Sequence, residues 1–298
     1  MQTIPSKGQK GHVPVLEKDV LLSLNVPSNG IVFDGTLGGG GHASSILKLL
    51  TDKGHFIGTD KDKDAVSVCN DRLKSSYSKI SLYHDSYHNI DIVLGRVGLE
   101  EANCLLLDLG LSSLQLNNRK RGFSFNFDSF LDMRFNQQQS LTASDIINNS
   151  SESELADMMF YFGQERLSKR IARKIKNLNP IYKVSDLVEA VRQSTPPKHR
   201  DRTLARVFQS VRIMVNNELE CLDIFLDRFI NHLSIGGRIA IISFHSLEDR
   251  RVKVKYKQLS QEGRLQIITK KPITPTEEEI KKNRRCRSAK LRVAERVT

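Results

Sequence analysis

Residues 31–43 read I-V-F-D-G-T-L-G-G-G-G-H-A, and no other stretch narrows the possible folds as far. The apolar run Ile31, Val32, Phe33 predicts a β-strand that ends at Asp34. Gly follows at positions 35, 38, 39, 40 and 41, and a helix-like run begins at His42 and continues to Leu50. Strand, Gly-rich loop and helix in this order match the G-x-G-x-x-[GA] pattern of nucleotide-cofactor loops, with Gly38, Gly40 and Ala43 in place. Gly is needed there because a Cβ would clash at positive φ and would hold a ligand away from the backbone amides. A second strand, 55–59, runs into Asp60, twenty positions beyond Gly40. At that separation a carboxylate accepts hydrogen bonds from ribose hydroxyls. A Gly-rich loop alone also serves as a tight turn; the helix behind it and the spaced carboxylate favour a cofactor.

Charge narrows the choice of cofactor. A dinucleotide presents a doubly negative pyrophosphate to such a loop, where a helix N-terminus favours it. Asp34, at the loop's edge, would repel that group. S-adenosylmethionine has no phosphate and carries a sulfonium and an ammonium, so a neighbouring carboxylate helps. The pattern therefore leans to a methyl donor over NAD. P-loop nucleotide binding is disfavoured further, because no G-x-x-x-x-G-K-[ST] occurs.

The first half of the chain alternates strands with helices, as a parallel α/β sheet requires. Strands are predicted at 31–34, 55–59, 80–84 and 104–108, with helices over 42–50 and 62–75. The run C-L-L-L-D, ending in Asp108, has the continuous apolar character of a central strand buried on both faces. Strands then stop and resume at 236–245, 265–269 and 291–295. The interruption reads as helical. Ser151 and Glu154 form a capping box that opens a helix through Phe162. A second helix, 165–178, sets Leu167, Ile171, Ile175 and Leu178 on one stripe. Its cations Arg166, Lys169, Arg170, Arg173 and Lys174 fit either a solvated face or RNA contact. One long helix is predicted over about 202–233 from Leu204, Phe208, Val211, Val215, Leu219, Leu222 and Leu226. The expected architecture is a Rossmann-like α/β domain from 1–115 and 201–298, with 116–200 an inserted helical domain.

With 298 residues and 39% hydrophobic content, the chain can bury a normal core. No apolar run approaches the roughly 20 residues of a membrane helix, and MQTIPSKGQKGH lacks a signal-peptide core. Cys69, Cys104, Cys221 and Cys286 are far apart, which indicates neither a zinc site nor a disulfide framework and suits a reducing cytoplasm. Residues 250–298 hold 16 Lys/Arg against 5 Asp/Glu, so +11 of the chain's net +12 lies in this segment. Charge gathered at one end suggests a polyanionic partner, most often nucleic acid. The apolar alternation around Leu291 and Val293 predicts a strand there rather than a solubilising tail.

Together these segments resemble the RsmH (MraW) family, bacterial S-adenosylmethionine-dependent methyltransferases that modify N4 of a cytosine in small-subunit (16S) ribosomal RNA near the decoding region. The matching segments include G-H-V-P-V-L at 11–16, D-G-T-L-G-G-G-G-H at 34–42 and L-L-D-L-G-L-S-S-L-Q-L at 106–116. R-G-F-S-F at 121–125, L-D-M-R-F at 131–135 and G-Q-E-R-L-S-K-R-I-A-R at 163–173 continue the match. F-Q-S-V-R-I-M-V-N-N-E-L at 208–219, S-F-H-S-L-E-D-R at 243–250 and R-S-A-K-L-R-V-A-E-R at 287–296 complete it. The resemblance implies cofactor contacts at Gly40, Gly41, His42, Asp60, Tyr87, Asp108 and Gln115. Tyr87 replaces the family's usual Phe, and Gly39 stands where the family often has Arg or Lys. Small-subunit ribosomal RNA is the implied partner.

Methyl transfer to an amine is an in-line displacement, so the protein mainly holds the two reactants in attack geometry. The cytosine amino lone pair is delocalised into its ring, and an acceptor on the N–H favours the reactive form. Many amino-group methyltransferases supply it from a [DN]-P-P-[FYW] loop after the fourth strand; here D-L-G-L-S-S stands in that place. Asp108 is the tentative acceptor, with Ser243 and His245 as alternatives; a histidine that only orders its own loop accounts for His245 equally well. The missing loop also leaves open an RNA-binding assembly factor that binds the cofactor without turnover, and basic charge alone leaves open DNA or protein as substrate. Phe123, Phe125 and Phe127, interleaved with Arg119, Lys120 and Arg121, either display a base or pack the insertion onto the sheet.

Overall fold

The computed structural model describes residues 14–73 and 78–298. The reading of the first twelve residues, positions 11–13 of the G-H-V-P-V-L segment and the last two positions of the 62–75 helix fall outside those residues. Seven strands form one sheet: β1 Ile31–Asp34, β2 His55–Asp60, β3 Lys79–His84, β4 Ala102–Asp108, β5 Leu233–Ser243, β6 Leu265–Ile267 and β7 Lys290–Arg296. Their order is β3-β2-β1-β4-β5-β7-β6. β1 to β5 are parallel, and β7 runs antiparallel between β5 and β6. The chain builds outward from β1 in one direction, then returns to add β4 on the other side. Open α/β sheets bind ligands at this reversal, outside the carboxyl ends of the strands.

The continuous apolar strands follow from burial on both faces. Phe33, Ile57, Leu105, Leu107, Ile239 and Ile241 enter one core, and Val32, Phe56, Cys104, Leu106, Ala240 and Ile242 enter the other. Successive strand residues point to opposite faces, so neither face can be polar. The C-terminal strand is a full member of the sheet, with Leu291 and Val293 fully buried. Its basic neighbours are therefore carried on a fixed frame.

A third apolar core, from Phe123 to Val215, belongs to the helical part. The capping box of Ser151 and Glu154 opens the helix Glu152–Tyr161, and the next helix is Ser168–Leu178. The expected division at 200/201 falls one residue into the helix Arg200–Asn216, whose Leu204, Val207, Phe208, Val211 and Val215 lie in the helical core. Phe123 is buried in that core, and Phe125 packs edge-on to Phe208 at 5.5 Å. Both therefore pack the insertion. Phe127 is half-buried, with the Arg119 guanidinium 4.3 Å from its ring centre.

The long helix expected over 202–233 is instead two helices, Arg200–Asn216 and Glu218–Arg228, followed by a 3₁₀ turn Phe229–Asn231. Asn217 breaks it at φ 50°, a left-handed conformation that Asn tolerates better than most residues. Asn216 holds the break, accepting from the Phe135 N–H at 2.6 Å and donating to the Met133 carbonyl at 2.8 Å. Apolar periodicity runs through such a break unaltered. The helices Glu17–Leu24, Val184–Ser194 and Ser246–Gln261 were not anticipated. The fifth strand starts at Leu233 and stops at Ser243, because His245 already caps the following helix.

Candidate active site

A cavity of about 640 Å³ opens at the carboxyl ends of β1, β2 and β4. Its base is the Gly-rich loop. Gly35 must be Gly, since a Cβ there would stand 2.4 Å from Leu107 Cδ2 and 2.5 Å from Tyr87 Cβ. Gly40 takes φ 73° and caps the helix Gly41–Leu47. The Asp34 carboxylate accepts from the Thr36 N–H at 3.0 Å, and the Thr36 hydroxyl accepts from the Asp108 N–H at 2.6 Å. β1 and β4 are thus stitched together where both strands end.

Asp60 ties the loop to β2. One of its oxygens accepts from the Gly38 N–H at 2.8 Å and the other from the Asp62 N–H at 2.8 Å. A carboxylate offers about four lone-pair sites, so both oxygens keep capacity for a ligand. Burial nevertheless raises Asp60 to about 6, against the pull of those two amides. Asp34, deeper still, is raised to about 7 by burial, with the Asp60 charge adding to it. Asp108 is raised to about 8 by burial, then by the charges of Asp34 and Glu248. Its Oδ1 is shielded from solvent and takes no hydrogen bond among the described residues. Three carboxylates thus converge with little positive charge to offset them.

His42 lies beside them, its Nε2 3.0 Å from the Val15 carbonyl and its Nδ1 3.6 Å from Asp108 Oδ2. A carbonyl only accepts, so Nε2 donates to Val15 and Nδ1 faces Asp108. Gly41 and His42 line the cavity, whereas Gly40 shapes the turn from behind, against Cys69. Tyr87 also lines it, braced edge-on by Phe225 at 5.6 Å, and burial holds its hydroxyl well above the usual range. Gln115 reaches the cavity, yet its amide is largely committed: Oε1 accepts from the Ser112 N–H at 3.0 Å and Nε2 donates to Asp62 at 3.1 Å. Asp62 also takes the buried Arg121 guanidinium at 3.0 Å. Gln115 and Arg121 therefore brace the segment after β4 against the exit of β2.

Ser243 and His245 stand away from this group. Ser243 Oγ lies 3.4 Å from the Lys290 carbonyl of β7, and His245 Nδ1 accepts the Glu248 N–H at 3.4 Å as the cap of its own helix. Neither lines the cavity; Phe244 and Glu248 from the same loop do. The alternation of a strand end sends adjacent side chains in opposite directions. Sequence reasoning missed Glu218, Glu248, Lys61 and Arg72, which also border the cavity, and gave Arg285 only as one of the basic residues 281–285 facing RNA. Lys61 and Arg72 adjoin recognisable motifs, but nothing in the spacing of the basic run 281–287 singles out Arg285.

Among the described residues, no cluster of three His, Cys, Asp or Glu side chains is arranged to hold a metal ion, and no helix is long and apolar enough to cross a membrane.

A doubly wound sheet with a Gly-rich loop and an acidic cavity at its reversal point defines a Rossmann-like α/β protein with a nucleotide-cofactor site. The model of the MraW methylase family matches residues 9–297, and the chain belongs to this family. It is similar to the ribosomal RNA small subunit methyltransferase H of Clostridium botulinum (strain 657 / Type Ba4), at 41% identity across 96% of this chain and 99% of that one. The protein of the same name from Kosmotoga olearia is 42% identical across 97% of this chain and 98% of its own. That of Fusobacterium nucleatum subsp. nucleatum is 38% identical, with coverage of 97% and 98%.

Proposed function

We propose that this protein transfers a methyl group from S-adenosylmethionine to N4 of a cytidine in small-subunit (16S) ribosomal RNA, near the decoding region. The observation that carries the cofactor is the trio Asp34, Asp60 and Asp108, buried beside a Gly loop and paired with no Lys or Arg among the described residues. Such a floor disfavours pyrophosphate and favours a ligand with a sulfonium and an ammonium. The ribosomal substrate is supported by the names of relatives that match this chain almost end to end.

The residues present fit the donor. Gly41 and His42 border the place for its methionine end, Asp60 offers acceptors to the ribose, and Tyr87 offers a ring face to adenine. Gln115 acts by holding the segment after β4 in position. When bound, the donor supplies an electrophilic methyl on a positively charged sulfur. Asp108 keeps Oδ1 turned inward but is a quarter exposed, and through Oδ2 it accepts one N–H of the cytosine amine and so localises the nitrogen lone pair. As N–C forms and S–C breaks, Asp108 takes the surplus amine proton, which its raised affinity for protons favours. His42 Nδ1, 3.6 Å away, lies on the route by which that proton can leave.

The test uses small subunits from cells lacking the protein, labelled donor and the purified chain, followed by nucleoside analysis. Label in N4-methylcytidine is expected. Label confined to another nucleoside, or none, would overturn the reading.

A further inference from the structure

The cavity is polarised: its floor carries the carboxylates and its rim carries cations. Arg285, in the 3₁₀ segment Arg284–Ser288, reaches the rim from the C-terminal part of the chain. Its terminal nitrogens donate to Ser113 Oγ and Asn117 Oδ1, both at 3.2 Å. Those acceptors are neutral, and among the described residues no carboxylate pairs with Arg285. Arg72, which also lines the cavity, spends one nitrogen on the Gly39 carbonyl at 2.6 Å, whereas arginines set back from the cavity are paired with acids. Arg121 lies 3.0 Å from Asp62, Arg212 lies 2.7 Å from Glu218 and Arg292 lies 2.7 Å from Asp249. A guanidinium has five N–H donors, so Arg285 keeps most of its capacity while two long bonds hold its direction.

Its surroundings reinforce one sign. Lys281, Lys282, Arg284 and Arg287 are exposed close by, and none has a carboxylate partner among the described residues. The proposed donor brings no phosphate, so it does not account for this charge. We infer that Arg285 grips a backbone phosphate of the nucleotide whose base enters the cavity. A base methylated inside a closed site must leave its stack while its phosphates stay outside. A planar guanidinium at the mouth, anchored on two neutral side chains, suits that phosphate because it can bind two oxygens at once. The inference rests on the proposed RNA substrate and adds the residue that holds the RNA at the mouth.

The experiment uses the full chain with Arg285→Gln and Arg285→Lys. The KM for unmethylated small subunits is followed across a salt series, and the Kd for S-adenosylhomocysteine is followed by calorimetry. Loss of one phosphate contact lowers the slope of log affinity against log salt by about 0.7. Arg285→Gln should show that change and a KM raised roughly tenfold, as removal of a charge-assisted hydrogen bond implies, with kcat nearly unaltered. Arg285→Lys should keep the slope and recover part of the KM. An unaltered slope in Arg285→Gln would overturn the inference. So would an equal loss of S-adenosylhomocysteine affinity, which would assign Arg285 to the donor's carboxylate. Absence of methyl transfer by the unmodified chain would refute the RNA-methylation reading instead, so the two failures are distinguishable. Both variants keep a side chain of similar length at an exposed position, and their melting temperatures check the fold.

Discussion

Two groups of buried acids lie at the carboxyl edge of the same sheet and behave in opposite ways. Glu248 accepts from the Phe244 N–H at 2.8 Å, lies 3.2 Å from His245 Nε2, and feels the positive charge of Arg212. Burial works against it, yet these partners hold its carboxyl below the usual range. Asp249 is lowered in the same way by Arg292 at 2.7 Å and Lys290 at 3.2 Å. Asp34, Asp60 and Asp108, enclosed as Glu248 is, are raised to about 7, 6 and 8, whereas Asp249 is only part-buried. Countercharge, not burial, separates Glu248 from these three. An acid with its cation built in fastens the loop after β5; an acid without one is poised to receive a positive ligand.

The largest expected effect separates chemistry from binding. Asp108→Ala should lower kcat by about 10²–10⁴, the usual worth of a positioned proton acceptor, with a far smaller change in S-adenosylhomocysteine affinity. A kcat within a few-fold of the unmodified chain would remove Asp108 from that role. Next comes stability. Glu248→Gln should cost about 2 kcal/mol, because the hydrogen bonds from the Phe244 and His245 amides lose their charged acceptor. Asp108→Asn should leave the melting temperature of the free protein unchanged or higher, since an unpaired buried carboxylate opposes folding. If thermal denaturation shows equal losses for both, the distinction between the groups fails.

A pH series tests the same contrast at smaller amplitude. The raised carboxylates keep protons in the folded state that the unfolded chain has already released. Their contribution therefore falls as pH rises through the window from about 4 to about 8. Glu248 and Asp249 have the opposite sign, adding stability above their unfolded values and losing it as pH falls through their lowered folded ones. S-adenosylmethionine, a cation, should bind more tightly as pH rises from 6 to 8 and should displace protons, measurable by calorimetry in buffers of different ionisation heat. Affinity flat across that range would mean the acidic floor does not meet the donor's charge. The smallest effect belongs to the exposed run. Lys281, Lys282 and Arg284 changed together to Gln should flatten the salt dependence of RNA binding by about 2 in slope and leave donor affinity alone. Arg285 is kept out of that set because it borders the cavity.

Much of this protein was legible in its residues alone. The strand–loop–helix at 31–47, the carboxylate twenty positions on, the fully apolar β4 and the capping box at Ser151 follow from local rules of backbone geometry and periodicity. Those rules act over a few neighbours, and the sequence contains them in full. What burial does to a charge depends on groups brought from elsewhere in the chain. Only the folded molecule decided that Asp34, Asp60 and Asp108 converge with no Lys or Arg paired to them among the described residues, that Ser243 turns to β7 and His245 to its own helix, and that Asn217 divides a helix. The anchoring of Gln115 to Asp62, 53 residues away, and of Arg285 to Ser113, 172 residues away, is of the same kind. Periodicity reports which face a residue occupies; tertiary packing alone sets which charge lies opposite it.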